Sequence, residues 1–413
     1  MSRVVVVGAG IGGCFAALSA KNTDPDADVH LLAVKPDRYR YEPGTVDVLG
    51  SVPDEEKPVV RPTERIGALP AEHPYKLVGE EGVNRALDYL DDVLRYRGTD
   101  RNALAPTVTG GIRPTYRYPA AVAAGLVSSQ RPMHIVGLES VTHLDAELAA
   151  ERLDSALPFD VNASTVEFPV DSPETPPLEG FAQTLDENSD TTEGTPVREA
   201  LARRVRPALD IEARVGFLPV LGLAAHDEIR TELESRLQAD VFEIPVGEPN
   251  LLGIRLREQL FDAVEAAGVE LTRASVTDCS TVGGSIRSVS VDGADSQRTI
   301  EGDAFVLATG GVAAGGLVGT GTEVIEPIFD CPVDYPDTHR EWAAEGPLDD
   351  HAFARFGVDV TPSLKPSVDG DPVFENLFSA GSVLGGYNFV EEGARTGVAV
   401  VTGYEAGRRA VDR

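Results

Sequence analysis

Arg3-Val-Val-Val-Val-Gly-Ala-Gly-Ile-Gly-Gly13 decides the architecture of this 413-residue chain. The valines make an apolar strand, the glycines a turn, and a helix is expected from about Gly12 to Lys21. Glycine serves three needs here: a tight turn at Gly8, close approach of a phosphate or pyrophosphate at Gly10, and packing of helix on strand at Gly13. Ala9 and Gly12 complete the turn. The helix directs its first N–H groups and its dipole at the anion. Alone, this reads as a Rossmann-like nucleotide-binding unit. Near the other end, Glu375-Asn-Leu-Phe-Ser-Ala-Gly-Ser-Val-Leu-Gly-Gly386 repeats the strand-to-glycine-turn pattern. One cofactor touched from both ends of the chain implies a second domain inserted between them.

The intervening pattern supports that division. Val29–Val34 reads as the second strand, and a helix is expected from Glu81 to Tyr96, with Val83, Leu87, Leu90 and Leu94 at helical spacing. A hairpin is expected over 107–119, a buried strand over Met133–Glu139, and helices near 144–155, 196–206 and 226–238. The acidic stretch 171–194 reads as a solvated loop. A long helix ends at Gly268, short strands follow, and Phe305-Val-Leu-Ala-Thr-Gly-Gly311 is another buried strand running into glycines. The expected fold class is α/β, a Rossmann-like FAD/NAD(P)-binding flavoprotein fold. Residues 1–80 plus 250–413 form the flavin-binding domain, and 81–249 an inserted cap, substrate or partner-binding domain.

Composition narrows the setting. The net charge is −31 and the pI about 4.5. Lysine is confined to Lys21, Lys35, Lys57, Lys76 and Lys365. Such a chain repels nucleic acid, whereas at about 1 M salt a Debye length of about 3 Å screens its self-repulsion. A halophile's surface follows. No stretch approaches the roughly 20 apolar residues of a membrane span, and no signal peptide is read, so a cytoplasmic protein is expected. Cys14, Cys279 and Cys331 show no paired spacing, so neither a metal site nor an iron–sulfur cluster is expected.

Three further motifs bear on a cofactor. An acid usually ends the second strand and binds the adenosine ribose; here the place reads Ala33-Val34-Lys35, with Asp37 beyond Pro36. FMN, which lacks adenosine, is the first reading; FAD held without this contact is the alternative, and a cofactor-free site the third. Thr309, Gly310 and Gly311 would let backbone approach the phosphate or ribityl region. Gly381 and Ser382 form the next turn, with Ser382 where many flavoproteins set an acid on the ribityl chain. Gly393 and Ala394 open the last helix, whose N-terminus would stabilise negative charge on a reduced ring.

The chain resembles the B-subunit family of anaerobic glycerol-3-phosphate dehydrogenases over nearly its full length. The resemblance rests on Pro43-Gly-Thr-Val-Asp-Val-Leu-Gly50 with Val52-Pro-Asp54, His73-Pro-Tyr75 with Leu77 and Gly79, and Leu251-Leu-Gly-Ile-Arg-Leu256. It continues through Gly315-Gly-Leu317, Glu326-Pro-Ile328 and Asn376–Gly386. It implies oxidation of sn-glycerol 3-phosphate to dihydroxyacetone phosphate, with electrons passing through flavin towards a quinone. It also implies two partners, a catalytic A subunit and an iron–sulfur C subunit at the membrane, so that this chain meets the inner membrane face only through the complex. The reaction needs a base and a cation for phosphate. Arg255 and then Arg395 are the cation candidates, and His73 the candidate base. Against these roles, Arg255 could pair with Glu258, and His73 before Pro74 could be a turn residue. The competing functions are a stand-alone flavin dehydrogenase or reductase of another small acid, and a cofactor-free scaffold within the complex.

Overall fold

The computed structural model describes residues 2–34, 42–53, 55, 57–141, 144–170, 177–245, 251–292, 297–346 and 349–412. The chain divides into two compact units, one of residues 1–38, 47–95 and 258–413, the other of 39–46 and 96–257. From sequence the limits fall at 80 and 250. In the structure they move, because helix Glu80–Val93 packs inside the first unit, where Tyr89 meets the rings of Phe15 and Tyr404. Leu251, Leu252 and Ile254 are instead buried in the cores of the second.

The first unit begins with β1 (Arg3–Val7), α1 (Ile11–Thr23) and β2 (Asp28–Ala33), and later adds α2 (Glu80–Val93). The second unit carries β3 (Met133–Leu138), α3 (Ala146–Ala156), β4 (Val161–Val166), α4 (Pro177–Glu187) and α5 (Val197–Val205). It continues with β5 (Arg214–Phe217), α6 (His226–Leu237) and β6 (Val241–Glu243). Helix α7 (Leu251–Ala266) returns the chain to the first unit, which closes with β7 (Glu270–Arg273), β8 (Ala304–Leu307), β9 (Leu377–Ser379) and α8 (Arg395–Val411).

The sheet of the first unit runs β9-β8-β1-β2-β7, all parallel. Val4, Val5 and Val6 are fully buried, as an unbroken valine run in the centre of a parallel sheet requires. The chain leaves β1 for β2 on one side and comes back to β8 on the other, so the order reverses between β1 and β8. That is where doubly wound sheets bind ligands, beyond the carboxyl ends of their strands. An antiparallel three-stranded sheet over 275–301 joins β7 to β8, and its Ile286, Val289 and Val291 share a core with Val5, Val7, Phe305 and Leu307.

Helices α1 and α8 pack backbone to backbone. A Cβ at Gly403 or Gly407 would overlap the carbonyl of Gly12 or Ala16, and Ser19 Oγ donates to the Tyr404 carbonyl at 2.7 Å.

The second unit has its own parallel sheet, ordered β4-β3-β5-β6. Its order reverses between β3 and β5. Of its strands, β3 matches the buried strand expected at Met133–Glu139, and β5 lies in Val215–Leu221, which the sequence shows as strand-like; β4 and β6 are not legible. The acidic stretch is not the loop expected of it. Residues 177–187 of it fold into α4, because Leu178, Phe181, Ala182 and Leu185 recur at helical spacing and are buried in the core of this unit; 188–194 is turn, and residues 171–176 lie outside the described residues. The expected hairpin exists earlier in the chain, pairing Ala103–Pro106 with Ile112–Thr115.

Candidate functional site

Because β1, β8 and β9 are neighbours, their three glycine turns lie side by side at the carboxyl end of the sheet. Gly8 N donates to the Leu32 carbonyl at 2.8 Å, Ala308 N to Val7 at 2.8 Å, and Ala380 N to Leu307 at 2.9 Å. Gly8 holds φ +109°, and a Cβ there would overlap the Ala308 carbonyl; a Cβ at Gly13 would overlap the carbonyl of Gly8. These two positions admit only glycine, for the strand and helix packing that the sequence anticipates. A Cβ at Gly311 would stand 2.6 Å from the Ser382 carbonyl. The Ser382 hydroxyl accepts from Gly311 N at 3.3 Å and so joins the second turn to the third. Gly381 N donates to Thr402 Oγ1 at 2.8 Å, which ties the third turn to α8.

Gly10 is different. Its φ is −72°, open to any residue, and a Cβ there would meet nothing within 4 Å. Neither backbone nor packing within the protein asks for glycine at this point. The helix that starts here has no side-chain N-cap and no acid in its first turn. Helix α8 starts at Ala394 with no side-chain N-cap, with Arg395 and no acid in its first turn, and its Gly397 N–H is already met by the Asp47 carbonyl. Uncapped helix starts offer N–H groups to an anion. The buried hydroxyls of Thr309 and Ser379, at the ends of β8 and β9, have no hydrogen-bond partner among the described residues. Open space in front of Gly10, two helix starts without side-chain caps and two orphaned hydroxyls fit an anionic, hydroxyl-rich cofactor. The ribose question remains with Lys35, Pro36 and Asp37, which lie outside the described residues.

The start of α8 is held in place by segments remote in sequence. Asp47 N donates to Thr396 Oγ1 at 2.7 Å, and Gly397 N to the Asp47 carbonyl at 2.9 Å. Tyr75 Oη donates to the Val48 carbonyl at 2.7 Å, and a Cβ on Gly397 would collide with that phenol. Burial pushes the Tyr75 phenol well above its ordinary range, with Tyr387, Glu392 and Asp47 adding to it, so it stays a neutral donor.

His73 belongs to the same cluster. Its ring is fully buried, Nε2 stands 2.8 Å from Glu392 Oε2, and Nδ1 accepts from Tyr75 N at 3.0 Å. Both nitrogens are therefore engaged, and Nδ1 caps the single helical turn Pro74–Val78. The geometry leaves no lone pair for a substrate proton and does not favour the expected base.

Arg255 lies in the second unit, 5% exposed. Nη1 meets Glu243 Oε2 at 2.5 Å and Nη2 meets Oε1 at 3.0 Å, while Nε and Nη2 donate to the Gly222 carbonyl at 2.9 and 2.5 Å. Its carboxylate partner in this arrangement is Glu243, where the sequence suggested Glu258. This fork is spent on the protein itself, which argues against a phosphate role. Arg395, partly buried, opens α8 in the first unit, next to Gly393 and Ala394. The residues that sequence reasoning missed are Glu392, Glu243 and Asp186. An acid just ahead of a glycine and a helix start was the signal for Glu392; Glu243 and Asp186 gave none.

The comparisons follow this geometry. Residues 3–398 match the family model described as FAD binding domain. A Halobacterium salinarum protein named as a probable anaerobic glycerol-3-phosphate dehydrogenase B subunit is 42% identical over 420 residues, covering 100% of this chain and 98% of its own. The anaerobic glycerol-3-phosphate dehydrogenase B subunit of Vibrio cholerae is 27% identical over 98% of this chain and 95% of its own. That of Pasteurella multocida is 25% identical over 97% and 96%. A flavin-dependent oxidoreductase fold is thereby shown, while FMN as first choice finds no support in a family described by FAD. With an FAD-binding domain over nearly all of its length and a relative this similar from end to end, the chain belongs to the FAD-binding domain family and, within it, to the anaerobic glycerol-3-phosphate dehydrogenase B subunits.

Proposed function

We propose that this chain binds FAD across its three glycine turns and works as the B subunit of an anaerobic glycerol-3-phosphate dehydrogenase. The observation that carries the cofactor is Gly10, a glycine that nothing within the protein requires. The turns at Gly8, Ala9, Gly10, Gly12 and Gly13, at Thr309, Gly310 and Gly311, and at Gly381 and Ser382 would hold the cofactor. The N–H groups opening α1 and α8, from Gly393 and Ala394 onward, would face its anionic parts. Bound there, FAD would supply a two-electron acceptor for the oxidation of sn-glycerol 3-phosphate to dihydroxyacetone phosphate, a reaction that also needs a base for the hydroxyl proton and passes its electrons towards a quinone.

In this reading Arg395 adds positive charge to the start of α8, on the side that would face an anionic group. His73 and Arg255 brace the two units internally. The base then belongs to another residue or to a partner. The names of the relatives support a complex, with a catalytic A subunit and an iron–sulfur C subunit at the inner membrane face. No helix among the described residues is long and apolar enough to cross a membrane, so membrane contact would come through the C subunit.

An absorbance spectrum of protein purified in high salt, with the released cofactor identified by mass, tests this. FAD is expected. FMN would restore the first sequence reading, and a protein that stays colourless after FAD is added back overturns the assignment. Robust turnover of glycerol 3-phosphate with a quinone analogue by the chain alone would overturn its role within a complex.

A further inference from the structure

We infer that the buried His73–Glu392 pair positions the start of α8 and that the Glu392 carboxylate sets the midpoint potential of the flavin. This rests on the FAD reading above.

The hydrogen bonds assign the protons. Nδ1 of His73 accepts from Tyr75 N–H and so carries no hydrogen. The imidazole proton is therefore on Nε2, and Glu392 Oε2 accepts it at 2.8 Å. The other carboxyl oxygen, Oε1, accepts from Asn388 N at 2.9 Å. Two acceptor oxygens and a neutral imidazole describe an ionised carboxylate, 3% exposed. It sits two residues ahead of Ala394, where α8 starts with no other acid in its first turn.

The same residue anchors the backbone. The Glu392 carbonyl accepts from Gly50 N at 2.7 Å and Ser51 N at 3.2 Å, and its N–H donates to Asn388 at 3.0 Å. Segments 47–51, 73–75 and 388–397 thus meet at one helix start. Two of them overlap the Pro43–Gly50 and His73–Tyr75 motifs, and the first brings a second buried acid, Asp47, to the same helix start.

A fixed negative charge at a helix N-terminus offsets the partial positive charge of the dipole. Where burial excludes water, that offset is weakly screened. Negative charge arriving on a flavin beside this helix start is then less favoured than it would be with a neutral side chain. Glu391 provides the contrast. Arg355 acts on both acids, but Glu391 is 48% exposed, so its field is screened by solvent.

The test is a redox titration of the FAD-loaded chain, unmutated and as Glu392→Gln and Glu391→Gln. Glu392→Gln should shift the two-electron midpoint to a more positive value, and Glu391→Gln should leave it in place. Equal midpoints for all three, or a shift as large in Glu391→Gln, overturns the inference. Should Glu392→Gln fail to fold, reciprocity offers a test on the unmutated protein, because a charge that sets the potential must itself feel reduction. The imidazole nitrogen resonances of His73 should move when the flavin is reduced; no movement overturns the inference. If the unmutated chain takes up no flavin, the FAD reading falls and this inference with it.

Discussion

Both units are doubly wound parallel sheets whose strand order reverses beside the first strand, yet their strand ends are finished in opposite ways. In the first unit the turns are glycines, and helices α1 and α8 start with no side-chain cap. In the second, the loop after β5 is apolar and its polar backbone is met from within. Asp186 accepts from Leu223, Ala224 and Ala225 N–H at 2.8, 3.1 and 2.8 Å, and so ties down the turn that leads into α6. Glu243 accepts from Leu221 N at 2.9 Å, and Arg255 binds the Gly222 carbonyl. One topology therefore yields an open end that an outside anion can complete, and a closed end completed by the chain's own carboxylates. The sheet order alone does not make a binding site; what sets the first end apart is open space before Gly10 and the orphaned hydroxyls of Thr309 and Ser379.

Four experiments press on this contrast. The largest effect is expected from Arg255→Met, which leaves Glu243 buried without its cation. Unfolding in urea should show a loss of about 3–5 kcal/mol, while Arg255→Met with Glu243→Leu should recover most of it. Flavin content of the folded fraction should stay unchanged, since the closed end holds no cofactor. Loss of flavin from folded Arg255→Met would break the comparison.

Next comes Gly8→Ala. The left-handed backbone and the overlap with Ala308 together should cost about 3 kcal/mol, seen in unfolding of the flavin-free chain, and flavin should be lost. Gly10→Ala sharpens the point. Its Cβ meets no protein atom, so stability of the flavin-free chain should hold within about 0.5 kcal/mol. FAD affinity should nevertheless fall at least about tenfold, or ~1.4 kcal/mol, in a fluorescence titration. Unchanged affinity would close the open end.

The smallest effect concerns Glu405 of α8. Burial pushes its carboxyl up, but Arg408, Arg85 and Arg409 more than offset this and hold it below the usual range. A folded pKa below the unfolded one adds stability above the unfolded value, near 4.5, and loses it as pH falls through the folded value. Glu405→Gln should therefore flatten the acid limb of a thermal-stability profile below about pH 4.5 and lower the plateau slightly at neutral pH. An unchanged acid limb would remove Glu405 from the account.

Legibility differed between the two ends for the same reason. The open end shows in local sequence as a valine run and then glycines, within Arg3–Gly13 and Phe305–Gly311, although the carbonyl that crowds Gly8 belongs to Ala308. The closed end depends on Asp186 and Glu243, which look like ordinary surface acids in a chain with 67 of them. Strands β4 and β6 escaped notice because Val161–Val166 is largely polar and Val241–Glu243 spans three residues, too few for a period to show. Asp186 escaped because acids on either side made 171–194 read as solvent-facing, while the apolar spacing at 178, 181, 182 and 185 was there to be used.

The sequence by itself determined the nucleotide-binding sheet, the glycine turns at both ends of the chain and the interruption between them. Those features follow from backbone torsion and from periodicities that neighbouring residues already display. Only the tertiary structure decided what His73 and Arg255 are for. Each is a plausible catalytic side chain until its partner is known. The partner of His73 stands 319 positions away, and that of Arg255 lies on a strand with no signature of its own. A buried charge takes its role from the group that compensates it, and that choice is made when remote segments pack together.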